Sequence, residues 1–108
     1  MKFVQTGAVM TANYQEPATN EDGSPITDLA LTSIYYDMGQ GPVKAAEVPA
    51  SAPTGGGTVT HDIEVPVAPK QEVNVTFWIT ATDGSGNESA HGNDVVVRID
   101  RLAPAPPL

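Results

Sequence analysis

Histidines and carboxylates are the residue types in this sequence that could carry acid–base chemistry. The two histidines are His61, within an alternating apolar segment, and His91, in a polar stretch near the end of the chain. A catalytic site needs a nucleophile, a base and an orienting group that converge in one pocket. His61 lies on the inward register of a predicted strand, and the carboxylates of Glu21 and Asp22 lie in a predicted turn, where acidic residues are common. The sequence therefore predicts a protein that is not an enzyme.

The run DGSGNES at residues 83–89 offers oxygen donors at alternate positions, as calcium-binding loops do. Its sixth residue is Glu88, where a helix-flanked calcium loop needs glycine, and no helix is predicted on either side. A glycine-rich turn between two alternating segments predicts a hairpin instead, with Gly84, Gly86 and Asn87 supplying positive φ angles. We therefore expect no metal and no cofactor.

The charge balance excludes several classes of partner. The 108 residues include 13 acidic and 5 basic side chains, for a formal charge of −8. Five scattered cations cannot form the basic face that nucleic acids or anionic membranes require, so we expect neither partner. There is no cysteine, and residues 2–7 lack the apolar run of a secretory signal. If the chain is complete, we expect it to fold in the cytoplasm.

Short alternating segments separated by turns run through the whole chain. Ten glycines and ten prolines divide it, and sustained helical spacing of apolar residues is not seen. About seven short strands at regular spacing predict an all-β sandwich. We place them at residues 3–4, 8–14, 31–37, 43–48 (a weaker edge strand), 58–65, 73–81 and 95–99.

Three blocks of sequence resemble a known family. The loop at residues 16–29, the IYY motif at residues 34–36, and residues 83–89 followed by 93–97 are similar to segments of bacterial and phage fibronectin type III domains. The resemblance spans most of residues 8–100. It implies an immunoglobulin-like β-sandwich over residues 1–101, with the third, sixth and seventh strands adjacent in one sheet.

This adjacency gives a candidate interaction face. If Val75 and Phe77 point inward, alternation turns Trp78 outward, and Tyr35 points outward from the third strand in the same way. Tyr35, Trp78 and Val96 would then cluster on one sheet surface as a contact for a protein or a sugar. The alternative is that a loop, the end of the chain or a shift of register by one residue covers Trp78.

Residues 102–108 form a proline-rich arm that we expect to be extended. They read either as a loose tail or as an arm that docks on a neighbouring protein. In the second case the docking residues are Leu102, Pro104, Pro106, Pro107 and Leu108.

The resemblance implies a non-enzymatic structural or interaction protein. Similar domains are common in phage virions, so we expect a small virion component, a capsid decoration or a tail or head–tail joining protein, assembled in the host cytoplasm and held by other virion proteins. The alternative is an extracellular spacer or carbohydrate-binding module of a larger bacterial enzyme or surface protein. Residues 100–104 resemble the linkers between such tandem domains.

Overall fold

The computed structural model describes residues 1–91 and 94–107. These residues form an all-β structure of seven strands in two antiparallel sheets, which confirms the predicted β-sandwich. No helix that could cross a membrane occurs in this part of the chain. The strands are β1 (Lys2–Thr6), β2 (Val9–Gln15), β3 (Leu29–Asp37), β4 (Pro42–Pro49), β5 (Thr58–Glu64), β6 (Glu72–Asp83) and β7 (Val95–Asp100).

The strand order places β3, β6 and β7 side by side. One sheet has three strands in the order β1-β2-β5, and the other has four in the order β4-β3-β6-β7. The strand predicted as an edge is an edge, and its terminal prolines, Pro42 and Pro49, fit that position because proline cannot donate to a central ladder. All the pairings are antiparallel, so alternate residues of each strand face the space between the sheets.

The core lies between the two sheets and follows the predicted alternation. The rings of Phe3 and Phe77 stack at its centre, with centroids 4.4 Å apart. Tyr14 is buried and its hydroxyl hydrogen-bonds Thr32 Oγ1 at 2.6 Å, which satisfies the polar end of an otherwise apolar side chain. Burial raises the pKa of Tyr14. The core residues are Phe3, Met10, Ala12, Tyr14, Ile34, Tyr36, Ile63, Val65, Val67, Val75, Phe77 and Ile99.

A buried carboxylate holds the connection between β4 and β5 against the sandwich. Glu16 is 2% exposed and accepts hydrogen bonds from the backbone N–H and hydroxyl of Ser51 and from the N–H of Gly57. Burial opposes ionisation of Glu16, but these donors together lower its pKa. The residue that follows β2 is thereby tied to a loop 35 to 41 residues further along the chain.

Candidate functional site

The outer face of the four-stranded sheet, the side turned away from the core, carries a row of side chains across three strands. Tyr35 on β3 pairs directly with Trp78 on β6 and with Lys44 on β4. The Tyr35 and Trp78 rings stack with centroids 5.6 Å apart and planes 5° from parallel, and Lys44 Nζ lies 5.7 Å from the Tyr35 centroid. The structure therefore brings together the two aromatic residues that the sequence placed on this face.

Trp78 is not exposed, in contrast to the sequence prediction. Only 7% of its surface is accessible, because a third ring, that of His91, stacks on it at 4.7 Å. His91 comes from the connection between β6 and β7, so the alternative in which a loop covers Trp78 is the one observed. We call Tyr35, Trp78 and His91 the aromatic row. His91 also contacts Asp94, with 2.6 Å between Nδ1 and Oδ1.

Glu88 ties the covering connection to the sheet. Its Oε2 atom accepts one hydrogen bond from the Tyr35 hydroxyl at 2.7 Å and another from Thr80 Oγ1 at 2.6 Å. These hydrogen bonds, that of Thr80 foremost, lower the pKa of Glu88. The hydrogen bond between Tyr35 and Glu88 raises the pKa of Tyr35. Glu88 was predicted only as a turn residue, so sequence reasoning missed its role on this face.

The turn that delivers Glu88 is built around one carboxylate. Asp83 Oδ1 accepts from the backbone N–H groups of Ser85 and Asn87 at 3.0 and 2.9 Å, which is the hairpin turn predicted in place of a calcium loop. Gly86 alone of the three expected residues has a positive φ, at 85°, so the prediction was wrong for Gly84 and Asn87. Among the described residues, no group of three or more histidine, cysteine or carboxylate side chains could hold a metal ion.

After this turn the chain pairs again with the end of β6. The N–H of Ser89 donates to the carbonyl of Ala81 at 2.8 Å, and the N–H of Ala81 donates to Ser89 Oγ at 3.0 Å. Because this pairing runs beside β6, His91, which follows it, lies on the outer face against Trp78. The β6–β7 connection is therefore longer and better anchored than a simple hairpin turn.

A buried hydroxyl lies on the same face, at a position that the sequence did not mark. Ser33 pairs with Thr80 on β6 and with Glu47 on β4, and it is 1% exposed. Its Oγ atom has no hydrogen-bond partner among the described residues. A polar atom in such a position lowers the stability of the fold unless a ligand or water satisfies it.

Val96 lies on the open part of the outer face. It pairs with Thr76 on β6 and is 66% exposed, as the sequence predicted. Its neighbour on the same face, Arg98, forms an ion pair with Glu72. Val96 does not lie directly opposite Trp78, because β7 begins at Val95, which pairs with Phe77, and Val96 pairs with Thr76.

The proline-rich arm leaves the sandwich from a fixed root. Arg101 exchanges backbone hydrogen bonds with Lys70 and Gln71, and its guanidinium donates to the carbonyl of Val67 at 2.9 Å. Leu102, 53% exposed, begins the arm. The remaining predicted docking residues that are described are exposed and without regular secondary structure, namely Pro104, Pro106 and Pro107. Leu108 lies outside the described residues.

An open groove of about 690 Å³ lies at one end of the sandwich, between the β2–β3 connection and the turn at residues 83–89. Ile26 and Leu29 form part of its lining, together with the carboxylates of Asp22 and Asp83. Hydrogen bonds from Ser24 lower the pKa of Asp22, and hydrogen bonds from Asn87 lower that of Asp83. Both carboxylates therefore stabilise the turns in which they lie.

Comparison with known proteins finds no family model, no curated protein and no solved structure that matches this chain.

Proposed function

We propose that the protein is a non-enzymatic structural component that works by adhesion to neighbouring proteins. The particular assignment is a small phage virion component, a capsid decoration or a tail or head–tail joining protein. The observation that carries the proposal is the proline-rich arm, which is exposed along its described length but has a rigid root at Arg101. Such a segment can bury itself on a neighbour without disturbing the sandwich.

Two properties of the arm favour docking. Proline restricts the backbone, so an arm with Pro104, Pro106 and Pro107 loses little conformational freedom when it binds. The hydrogen bonds of Arg101 to Val67 and Gln71 fix the direction in which the arm leaves the sandwich. Leu102 adds an exposed apolar side chain at the start of the arm.

The assignment to a fibronectin type III-like virion protein has weaker support. Three blocks of sequence resemble that family, and the adjacency of β3, β6 and β7 agrees with the resemblance. The net charge of −8 keeps free copies apart in solution and suits a protein that must be soluble before it assembles.

Deletion of residues 103–108 tests the proposal. The copy number of the chain in particles purified from the producing cells would be measured by quantitative mass spectrometry. We expect at least a tenfold loss of occupancy with an unchanged melting temperature, because the deleted residues lie outside the strands. The matched control is Val43→Thr, which alters an exposed apolar residue on β4.

Two outcomes would count against this function. Full occupancy of the deletion variant would show that the arm does not dock. Absence of the intact chain from purified particles would contradict the virion assignment itself, whatever the arm does.

A spacer module of a larger extracellular protein is the second candidate. The molecule is elongated, with principal extents of 60 × 25 × 18 Å, and the arm continues from a rigid root as a linker between domains would. Carbohydrate binding at Trp78 is less favoured, because sugar stacking needs an open aromatic face and Trp78 is buried in the aromatic row. A catalytic domain joined to this chain in its parent protein would favour the spacer.

A further inference from the structure

The outer edge of β7 presents backbone hydrogen-bonding groups away from β6. Gln5 identifies which ones: its side chain donates to the carbonyl of Asp100 at 2.6 Å and accepts from the N–H of Asp100 at 3.1 Å. The backbone of Asp100 therefore points away from β6. Because alternate residues of a strand point the same way, the N–H and carbonyl groups of Arg98 and Val96 face the same edge. Asp94 directly precedes β7 (Val95–Asp100), and a partner strand that extends β7 by one residue would bring it into the same line.

Gln5 also limits this edge. It occupies the backbone groups of Asp100, where β1 contacts β7, so within the described residues the stretch left for another strand runs from Asp94 to Arg98. The opposite edge of the same sheet, β4, begins and ends in proline and is less suited to pairing. The side chains of Val96 and Arg98 are well exposed, so another strand can approach beside β7.

The sequence of this stretch, DVVVR, is complementary to itself when two copies run antiparallel. With a two-fold axis at Val96, the valine meets its own copy, and Asp94 lies opposite the partner's Arg98 on the same sheet face. The second ion pair follows from the symmetry. Opposite charges directly across an antiparallel pair are stabilising, and like charges are destabilising. A shift to a neighbouring register loses both ion pairs.

We propose that the β7 edge is a homodimer interface, in which two copies pair antiparallel about Val96 and join their four-stranded sheets into one. The backbone groups of Val96 and Arg98 face the edge, and those of Asp94 join them if pairing extends β7 by one residue; each of the three pairs then exchanges two hydrogen bonds, about six in all. The guanidinium of Arg98 has five donors, so it can contact the partner's Asp94 while keeping Glu72. This inference goes beyond the proposed attachment to virion proteins and does not depend on it.

The interface is expected to be weak. A short strand edge buries less than the roughly 1,200 Å² of a stable interface, and the net charge of each copy opposes association. We expect a dissociation constant on the order of 10⁻⁴ M. A local concentration raised by attachment to an assembly would favour the dimer.

Sedimentation equilibrium of the full chain, from about 10 µM to about 1 mM, tests the interface. We expect a monomer–dimer equilibrium that Val96→Lys weakens at least tenfold, because like charges would then meet at the two-fold axis. The matched control is Val43→Lys, which places the same charge on the opposite edge strand and leaves dimerisation unchanged. A chain that stays monomeric at about 1 mM overturns the proposal.

Charge exchange tests the register. Asp94→Arg and Arg98→Asp should each weaken the dimer, and the double variant should restore it, because the ion pairs then re-form with reversed sign. Each substitution also removes a contact within one copy, between Asp94 and His91 or between Arg98 and Glu72. Melting temperatures of all variants therefore separate weaker dimerisation from a loss of folding. Failure of the double variant to restore the dimer, with folding intact, overturns the proposed register. Particle occupancy, measured separately, tests the attachment function.

Discussion

The outer face of the four-stranded sheet has two halves. Side chains alternate between the core and the outer face in the same way in both, but the outward-facing ones are buried in one half and exposed in the other. In the covered half, Ser33, Trp78 and Thr80 are buried, and the β6–β7 connection contacts Trp78 through His91 and Thr80 through Glu88. In the open half, Val96 is 66% exposed and Arg98 extends into solvent. Both halves belong to one sheet and follow the same alternation, but the covered half lies on the central strands β3 and β6 and the open half on the edge strand β7.

One anchored connection adds to this difference in strand position. Glu88 joins Tyr35 and Thr80, His91 stacks on Trp78, and Ser89 pairs with the end of β6. A solvent-facing surface thereby becomes a second, small core on the outside of the sandwich. We expect the covered half to stabilise the fold, and we propose the open half as the part available for contacts with other molecules.

Truncation of the aromatic row should lower the free energy of unfolding more than any other change on this face. Trp78→Ala removes a buried ring and its contacts with Tyr35 and His91, so we expect a loss of about 3 kcal/mol in the free energy of unfolding. Urea denaturation followed by circular dichroism measures it. A Trp78 exposed as a contact residue, the first of the two possibilities that the sequence offered, would instead leave folding largely intact when removed.

The matched control is on the open half of the face. Val96→Thr changes an exposed side chain of the same sheet and should alter the unfolding free energy by less than about 0.5 kcal/mol. Equal losses for the two variants would mean that the halves do not differ energetically, and the covered half would not be a second core.

Neutralising the anchor should have an intermediate effect. Glu88→Gln keeps the size of the side chain but weakens the hydrogen bonds from Tyr35 and Thr80. Because Glu88 is exposed and water screens its charge, we expect a loss of about 1 kcal/mol at neutral pH. Glu21→Gln, at an exposed position in the β2–β3 connection, is the control and should be neutral.

The stabilisation that Glu88 provides should decrease as the pH falls. The contacts with Thr80 and Tyr35 lower the pKa of Glu88 below its ordinary value of 4.5. A carboxylate with a lowered pKa in the folded state contributes stability above its unfolded pKa and loses it as the pH falls through the folded value. The difference in unfolding free energy between the original chain and Glu88→Gln should therefore be largest at neutral pH and shrink below about pH 4.5. A difference that grows on acidification would contradict the anchor.

The sequence predicted local properties well and long-range ones poorly. Alternation placed Tyr35, Trp78 and Val96 on the outer face, because side-chain direction in a strand depends on neighbouring residues alone. Exposure depends on what else reaches the surface. The cover over Trp78 comes from a connection whose anchor, Glu88, bonds a residue 53 positions away, and no pattern within one strand encodes that contact.

Removal of the buried hydroxyl in the covered half should have the smallest effect, and it should stabilise the protein. Ser33 Oγ is enclosed without a hydrogen-bond partner among the described residues, so folding strips it of water without replacement. Ser33→Ala removes that cost and leaves the neighbouring contacts of Thr80 and Tyr35 in place. We expect a gain of roughly 0.5–1 kcal/mol in the unfolding free energy.

Ser24→Ala, which removes a hydroxyl that does bond Asp22, should instead destabilise slightly. A loss of stability for Ser33→Ala would mean that water or another molecule occupies the covered half, and the cover would then be a binding site rather than a sealed core.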